Sequence, residues 1–313
     1  TFVTDSRTYL NPGNVVLVVA PQLLLSDQLF GEFDTHLPDI NFLWRQISSE
    51  SVTFQRDRKN LNFRVIAPQS ATTTVEDIVE TYDHSIRVGK PLILFTTYKS
   101  LDRVVSAGIP ISVAYYDEAH NATASDNFQA VQAMSQIAAN NYFFTATPKF
   151  NPDRSVTGSG MDNVSVYGEV ICKVNFNSLV EQGVIVSPKL RLIQSSANAE
   201  SVIDSDLNVK TIKEIVNKSE QGQLTPKILV CAPGTKSIAD IVDSSFLRWA
   251  NDRGYNVLSI DSKNQGFING ERGISKAKFL DRLNQLGADP SAKLIVLHYS
   301  MLGEGIDVKS FNR

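Results

Sequence analysis

Asp117 and Glu118 close a short apolar run, Ile111–Tyr116 (ISVAYY), and His120 follows two residues behind Glu118. In open parallel sheets, ligands bind at the carboxyl ends of the strands. A carboxylate there can hold Mg²⁺ through water, and the metal can bridge phosphate oxygens. A second carboxylate beside it can orient and deprotonate an attacking water. A helix N-terminus would also favour acidic residues, and an isolated Asp-Glu pair signals no more than that. The tetrapeptide Asp117-Glu118-Ala119-His120 directly after an apolar run is more specific. Two further polar groups stand at the ends of apolar runs. Thr145-Ala146-Thr147-Pro148 lies 28 positions after Asp117, and Gly303-Glu304-Gly305-Ile306-Asp307 lies far downstream.

These groups need strands to present them. Asn14–Ala20 (NVVLVVA) is a continuous apolar run, as a strand buried on both faces would be. Phe63–Ala67, Leu92–Thr97, Ile111–Tyr116 and Asn141–Ala146 repeat that signal, and the segment after Pro21 (LLLSDQLFGEF) reads as a helix. Between the last two strands, Phe128, Val131, Met134 and Ile137 form one helical stripe, with Ser125 or Asp126 as its N-cap. Alternating strands and helices with short connections imply a parallel sheet with helices on its faces. From Asn151 the period breaks in a Pro-, Gly- and Ser-rich stretch, read as a loop leaving the first domain and expected to be nicked by proteases near Gly158–Gly160. A second alternation follows: strands at KLRLIQ and KILVCA, a helix ending at Gly254, the strand YNVLSI, a helix over Ser275–Gly287 and the strand AKLIVLHY. The expected fold is α/β, with two such domains in tandem.

With these motifs together, the chain resembles the superfamily 2 helicases and translocases of the DEAD/DEAH-box class, a branch of the P-loop NTPases. Val18–Leu29 (VVAPQLLLSDQL) and Phe95–Leu101 (FTTYKSL) resemble the family's nucleic-acid-contacting motifs, and the likeness runs from about Asn14 to Val308. TATPK, GMDNVSVYGEV and FNSLVEQGVIVSP look most like the branch with restriction-enzyme motors and phage helicases. The resemblance implies two RecA-like domains with parallel sheets, hydrolysing ATP with Mg²⁺ in a cleft between them. Residues 1–150 would be the first domain, 151–188 a connection and 189–313 the second. Asp117 would position the metal, Glu118 the attacking water, and His120, Thr145 and Thr147 would couple the site to movement. Gly303, Gly305 and Asp307 would meet the nucleotide from the second domain. DNA, or RNA, would touch Pro21, Gln22, Thr96, Thr97, Gly303 and Glu304. Gly234, Thr235 and Lys236 follow a strand and open a helix. An ordinary strand-to-helix turn and a hold on a nucleic-acid phosphate both fit them; an ATP loop does not, because Leu229 stands where the first Gly belongs.

Two departures qualify the resemblance. The sequence contains no G-x-x-x-x-G-K-[ST], and no arginine-finger motif follows Asp307. Both would fall beyond the chain's ends, so the expectation is a piece of a larger helicase, inactive alone, with nuclease or methylase modules as possible attachments. The competing reading is a helicase-shaped scaffold that binds nucleic acid without catalysis.

Composition sets further bounds. The net charge is −3, about −4 within residues 1–150 and +1 beyond them, so a nucleic-acid surface must be a local groove. No apolar run approaches the roughly 18 residues of a membrane span. No basic-apolar-small leader is visible, and a cytoplasmic location is expected. Cys172 and Cys231 lack metal-ligand spacing and read as buried thiols in a reducing compartment. His36, His84 and His298 read as structural, and Trp44 and Trp249 as core residues in helical patterns, with base stacking as the alternative. Arg56, Arg58 and Lys59 read as a solvated loop or a phosphate contact.

Overall fold

The computed structural model describes residues 2–21, 32–33, 35–48, 71–151, 158–185, 187, 205–222, 225–261 and 265–299. The expected strands at Phe63–Ala67 and KLRLIQ, most of the helix after Pro21, the basic residues Arg56, Arg58 and Lys59, and the site residues Gln22, Gly303, Glu304, Gly305 and Asp307 lie outside the described residues. The chain forms two compact units, Thr1–Ile171 and Cys172–Arg313.

In the first unit a five-stranded sheet has the order β2-β3-β1-β4-β5, with every pairing parallel. Its strands are β1 (Val15–Ala20), β2 (Leu43–Ile47), β3 (Leu92–Thr97), β4 (Val113–Tyr116) and β5 (Asn141–Phe143). The run of valines in β1 is central, and alternate residues face two cores. Val15, Leu17 and Val19 join Ile78, Leu101, Val104, Val131 and Met134. Val16 and Val18 join Val3, Phe33, Leu37 and Phe95 on the other face. The first face carries α2 (Val75–Arg87), α3 (Leu101–Ala107) and α4 (Ser125–Ile137), and the short α1 (Phe2–Ser6) lies on the second. Both faces are therefore covered, which is why these strands read as unbroken apolar runs.

Several details differ from expectation. Trp44 lies in strand β2, not in a helix, and packs edge-on against Phe95 with centroids 6.5 Å apart. The N-cap of α4 is Ala124, without a side-chain cap bond, rather than Ser125 or Asp126. On its stripe Val131 and Met134 are fully buried, whereas Ile137 at the last turn is exposed. The stretch after Asn151 does not leave the first unit at once. The Asn151 side chain accepts from the Gly160 N–H at 3.0 Å, and Tyr167, in α5 (Val164–Tyr167), donates to Ser159 O at 2.9 Å and joins the core.

The second unit holds α6 (Phe176–Glu181), α7 (Ser205–Ser219), β6 (Lys227–Cys231), α8 (Thr235–Asp243), α9 (Phe246–Asp252), β7 (Tyr255–Asp261), β8 (Gln265–Ile268), β9 (Glu271–Ile274), α10 (Lys276–Ala288) and β10 (Lys293–His298). Its sheet has the order β6-β10-β7-β8-β9. β6, β10 and β7 are parallel, but β8 and β9 form an antiparallel hairpin, so this sheet is mixed. Asn269 and Gly270 supply two consecutive positive φ angles, 48° and 107°, which a tight two-residue hairpin turn requires. The helix expected to run to Gly254 breaks at Ser244. Its hydroxyl donates to Ile241 O at 2.7 Å and accepts from the Phe246 N–H at 3.0 Å, replacing helical bonds. Gly254 does follow α9, at φ 80°, a left-handed value that suits glycine. Trp249 lies in α9, stacks on Phe246 and carries Lys213 and Arg253 over its ring, at 5.3 and 4.8 Å from the centroid.

Both cysteines are exposed, contrary to expectation. Cys172 lies between α5 and α6, and residues 168–177 around it are all exposed. Cys231 ends β6, the outermost strand of this sheet among the described residues. On its face of the sheet α10 packs mainly against β7, β8 and β10 and meets β6 at its start, where Lys227 donates to Gly287 O; further along β6, Leu229 is 50% exposed and Cys231 is exposed. Among the described residues no helix is long and apolar enough to cross a membrane.

Candidate functional site

The carboxyl ends of the first sheet bring the motifs into one row. Val19 of β1 pairs with Thr96 of β3 on one side and Tyr116 of β4 on the other. Pro21 thus follows β1 between Thr96-Thr97 and Asp117-Glu118. β5 pairs with β4 on its far side, which sets Thr145 and Thr147 beside the Asp117–His120 turn. The Asp117 N–H donates to Val19 O at 2.8 Å, and the Ala119 N–H donates to Phe144 O at 2.8 Å, so the turn is tied to both neighbouring strands. Below it, Tyr116 and Phe143 stack with centroids 4.3 Å apart.

Glu118 adopts φ 45° and ψ 51°, the left-handed region. A glutamate there is strained, by roughly 1–3 kcal/mol, and persists only when its surroundings over-determine it. Asn121 supplies much of that constraint: its N–H and its side-chain amide both donate to Glu118 O, at 2.9 and 3.1 Å. The same amide lies 3.3 Å from His120 Nε2. An amide NH₂ is a donor, so Nε2 is the acceptor and Nδ1 carries the proton. Nδ1 lies 3.0 Å from Thr145 Oγ1, 3.2 Å from Thr147 Oγ1 and 3.5 Å from Glu118 Oε2. Thr145 Oγ1 also accepts the Thr147 N–H at 3.2 Å. His120 is buried, while the Glu118 side chain keeps 27% of its surface. The imidazole therefore bridges the carboxylate strand end and the threonine loop.

Asp117 is half-buried, and burial raises its carboxyl above the usual range; among the described residues only the Glu118 N–H acts against that. Its carbonyl accepts the Tyr98 hydroxyl at 2.8 Å. Burial, and next the Asp117 charge, push the Tyr98 phenol up, so it remains a donor. Tyr98 and Asn121 were not anticipated, although each lies within or beside a quoted motif. Both act on backbone carbonyls, which no residue spacing reveals.

The remaining site residues fall as follows. Thr96 is fully buried and its hydroxyl donates to Ile47 O at 3.3 Å, so it faces the interior rather than a ligand. Thr97 is 9% exposed and donates to Ser100 Oγ at 3.4 Å. In the second unit, Gly234 is the N-cap of α8, with an extended backbone, and Lys236 is exposed on its first turn. Two open surface depressions, of about 810 Å³ along α2 and about 750 Å³ beside α9, are lined by none of these residues.

Neither a protein-family model nor a curated protein matches the sequence. Solved structures do. A nuclease-deletion mutant of the Type ISP restriction-modification enzyme LlaGI, in complex with a DNA substrate mimic, matches over 91% of this chain at 18% identity and a TM-score of 0.55. The chain spans 20% of that enzyme's length. The SWI2/SNF2 ATPase core of Sulfolobus solfataricus, in complex with double-stranded DNA, matches over 98% of this chain and 72% of its own, at 14% identity and a TM-score of 0.34. The Hef helicase domain of Pyrococcus furiosus matches over 95% and 84%, at 12% identity and 0.33. The all-parallel sheet flanked by helices and the match to the restriction enzyme agree: the chain has an α/β, RecA-like fold, similar to that of the restriction enzyme.

Proposed function

We propose that the chain is the core of an ATP-dependent helicase or translocase motor acting on DNA, with hydrolysis carried out at the Asp117–His120 turn. The supporting observation is the bridge made by His120, whose Nδ1 is within hydrogen-bonding distance of Thr145 and Thr147 and 3.5 Å from Glu118. A purely structural turn has no need of a strained glutamate held partly open beside a buried imidazole.

In this reading Glu118 is the general base that takes the proton of the attacking water. Its fixed backbone limits where the carboxylate can point. Asp117 is the residue that would hold Mg²⁺. A desolvated carboxylate without a cation partner among the described residues fits a hard divalent ion, because oxygen donors suit it and its charge offsets the cost of burial. Bound magnesium supplies neutralisation of phosphate-oxygen charge. His120 relays the state of Glu118 to Thr145 and Thr147, so that occupancy at the strand ends is felt in the loop after β5. Lys236, exposed on the first turn of α8, would meet a nucleic-acid phosphate.

The test is Glu118→Gln in the full-length protein that carries this chain. DNA-stimulated ATP turnover should fall by about 10²–10⁴, the usual worth of a general base, while ATP binding stays within a few-fold of wild type. Wild-type turnover in the variant would remove Glu118 from the mechanism. A wild-type protein that binds DNA but never hydrolyses ATP would favour the scaffold reading.

A further inference from the structure

Asn121 engages both Glu118 and His120 through a single amide nitrogen. It lies in the short 3₁₀ turn Ala119–Thr123 that follows Glu118. Its side-chain nitrogen is 3.1 Å from Glu118 O and 3.3 Å from His120 Nε2. A carbonyl oxygen can only accept, so the amide end facing Glu118 O is the NH₂. That NH₂ has two protons, one for each contact. The amide is itself held in place from two sides. The Asn121 N–H donates to Glu118 O at 2.9 Å, and Asn121 O accepts the side chain of Asn127, on the first turn of α4, at 2.9 Å.

The consequence falls on the far side of the imidazole. A neutral ring has one proton, and with Nε2 accepting from Asn121 that proton sits on Nδ1. His120 is buried, so the groups packed around it, rather than bulk water, decide its tautomer. Nδ1 lies 3.0 Å from Thr145 Oγ1, 3.2 Å from Thr147 Oγ1 and 3.5 Å from Glu118 Oε2. A donor in that position attracts the carboxylate. It also makes the threonine oxygens acceptors toward the ring, which leaves their own protons to be donated elsewhere. In the other tautomer Nδ1 would turn a lone pair toward Glu118 Oε2 and repel it, and the threonine hydroxyls would have to donate to the ring instead.

We propose that Asn121 is a positioning residue for ATP hydrolysis: by keeping the His120 proton on Nδ1, it aims the Glu118 carboxylate and sets the direction of the hydrogen bonds to Thr145 and Thr147. This rests on the reading of Glu118 as the general base. One amide thereby orients the base and its link to the loop after β5 together. Asn121 acts through these two residues, not on the nucleotide.

Two measurements test the role. With isotope-labelled histidine in the full chain, long-range proton–nitrogen correlation spectra report which ring nitrogen carries a proton. The sequence has four histidines, and the His120 signals are those lost in His120→Gln. The wild-type ring should carry its proton on Nδ1. Asn121→Asp is nearly isosteric but replaces the donor by an acceptor, so Nε2 should gain a proton. In the full-length protein that carries this chain, the same variant should lower kcat for ATP hydrolysis by about tenfold to a hundredfold, as a misplaced catalytic group does, and leave KM for ATP within a few-fold. A merely structural role would lower the thermal midpoint without moving the ring proton. A proton on Nε2 in the wild type would overturn the proposal, as would a ring proton or a kcat unchanged in Asn121→Asp. If that variant does not fold, the wild-type spectrum still decides. Failure of the hydrolytic reading looks different: Glu118→Gln would then keep wild-type turnover while the ring proton still answered to Asn121.

Discussion

Asp117 is a carboxylate under tension. Its folded-state pKa is raised above the ordinary 3.8 by burial. An acid shifted upward in this way favours the folded state when protonated, so the stability it contributes is present below the ordinary value and is lost as pH rises through the raised one. At neutral pH the ionised side chain is a standing cost. Asp117→Asn is therefore expected to stabilise the protein at pH 7 by on the order of 1 kcal/mol, a common gain where function has kept a strained or desolvated group. The gain should shrink as the pH falls through the raised value and level off below 3.8, where both states of the wild type are protonated. Urea unfolding of both proteins across that range measures it. A variant less stable than wild type at pH 7 would mean that Asp117 already has the compensation that a bound cation is proposed to supply. The neighbouring Glu118 stores its cost differently, in a left-handed backbone held by two donors from Asn121.

At the level of elements, α4 begins without a side-chain cap, because Ala124 occupies the capping position with extended φ and ψ of −65° and 139°. Ala124 is exposed, so a serine fits there without repacking. Ala124→Ser should add about 1 kcal/mol by satisfying a free N–H of the first turn. That is roughly 2–4 °C in thermal midpoint for a unit of this size; an unchanged or lower midpoint would mean that the first turn already finds its partners elsewhere. The cap falls one residue before Ser125 and two before Asp126, both of which are good cappers by type. β1, β3 and β4 were legible because burial on both faces leaves no polar alternation. β2 was hidden because Arg45 and Gln46 interrupt its apolar residues yet are themselves buried. The β8–β9 hairpin has a readable signal in Asn269-Gly270, a pair that favours positive φ at both central turn positions. The exposure of Cys231 could not be read at all, since an apolar run such as KILVCA does not say which of its residues a helix covers. The meeting of His120 with Thr145 was legible once their strands were taken as neighbours, whereas Tyr98 and Asn121 engage carbonyls and leave no trace in residue type.

Across the whole molecule, each unit carries its own pair of cores, one on either face of its sheet. The two sheets are thus complete layered structures in their own right, and the chain between them need not pack to stabilise either. Residues 168–177 match that description: they are exposed throughout, and Val170 and Ile171 each keep 83% of their surface. Gly158–Gly160, where cleavage was expected from composition, is instead cross-tied. Gly160 N–H donates to Asn151, Asn163 donates to Gly158 O at 3.0 Å, and Tyr167 anchors Ser159 to the core. Protease susceptibility follows burial and hydrogen bonding of the backbone rather than glycine content. Thermolysin, which cuts before bulky apolar residues, should therefore act first between Glu169 and Phe176. The products should be two stable fragments whose masses place the new ends near Ile171 and Cys172. A first cut at Gly158–Gly160, or digestion that proceeds through either sheet without pausing, would show that the division between the units lies elsewhere. Because each core draws on one unit alone, the fragments should keep their secondary structure after the cut, which far-ultraviolet circular dichroism of the digest would report.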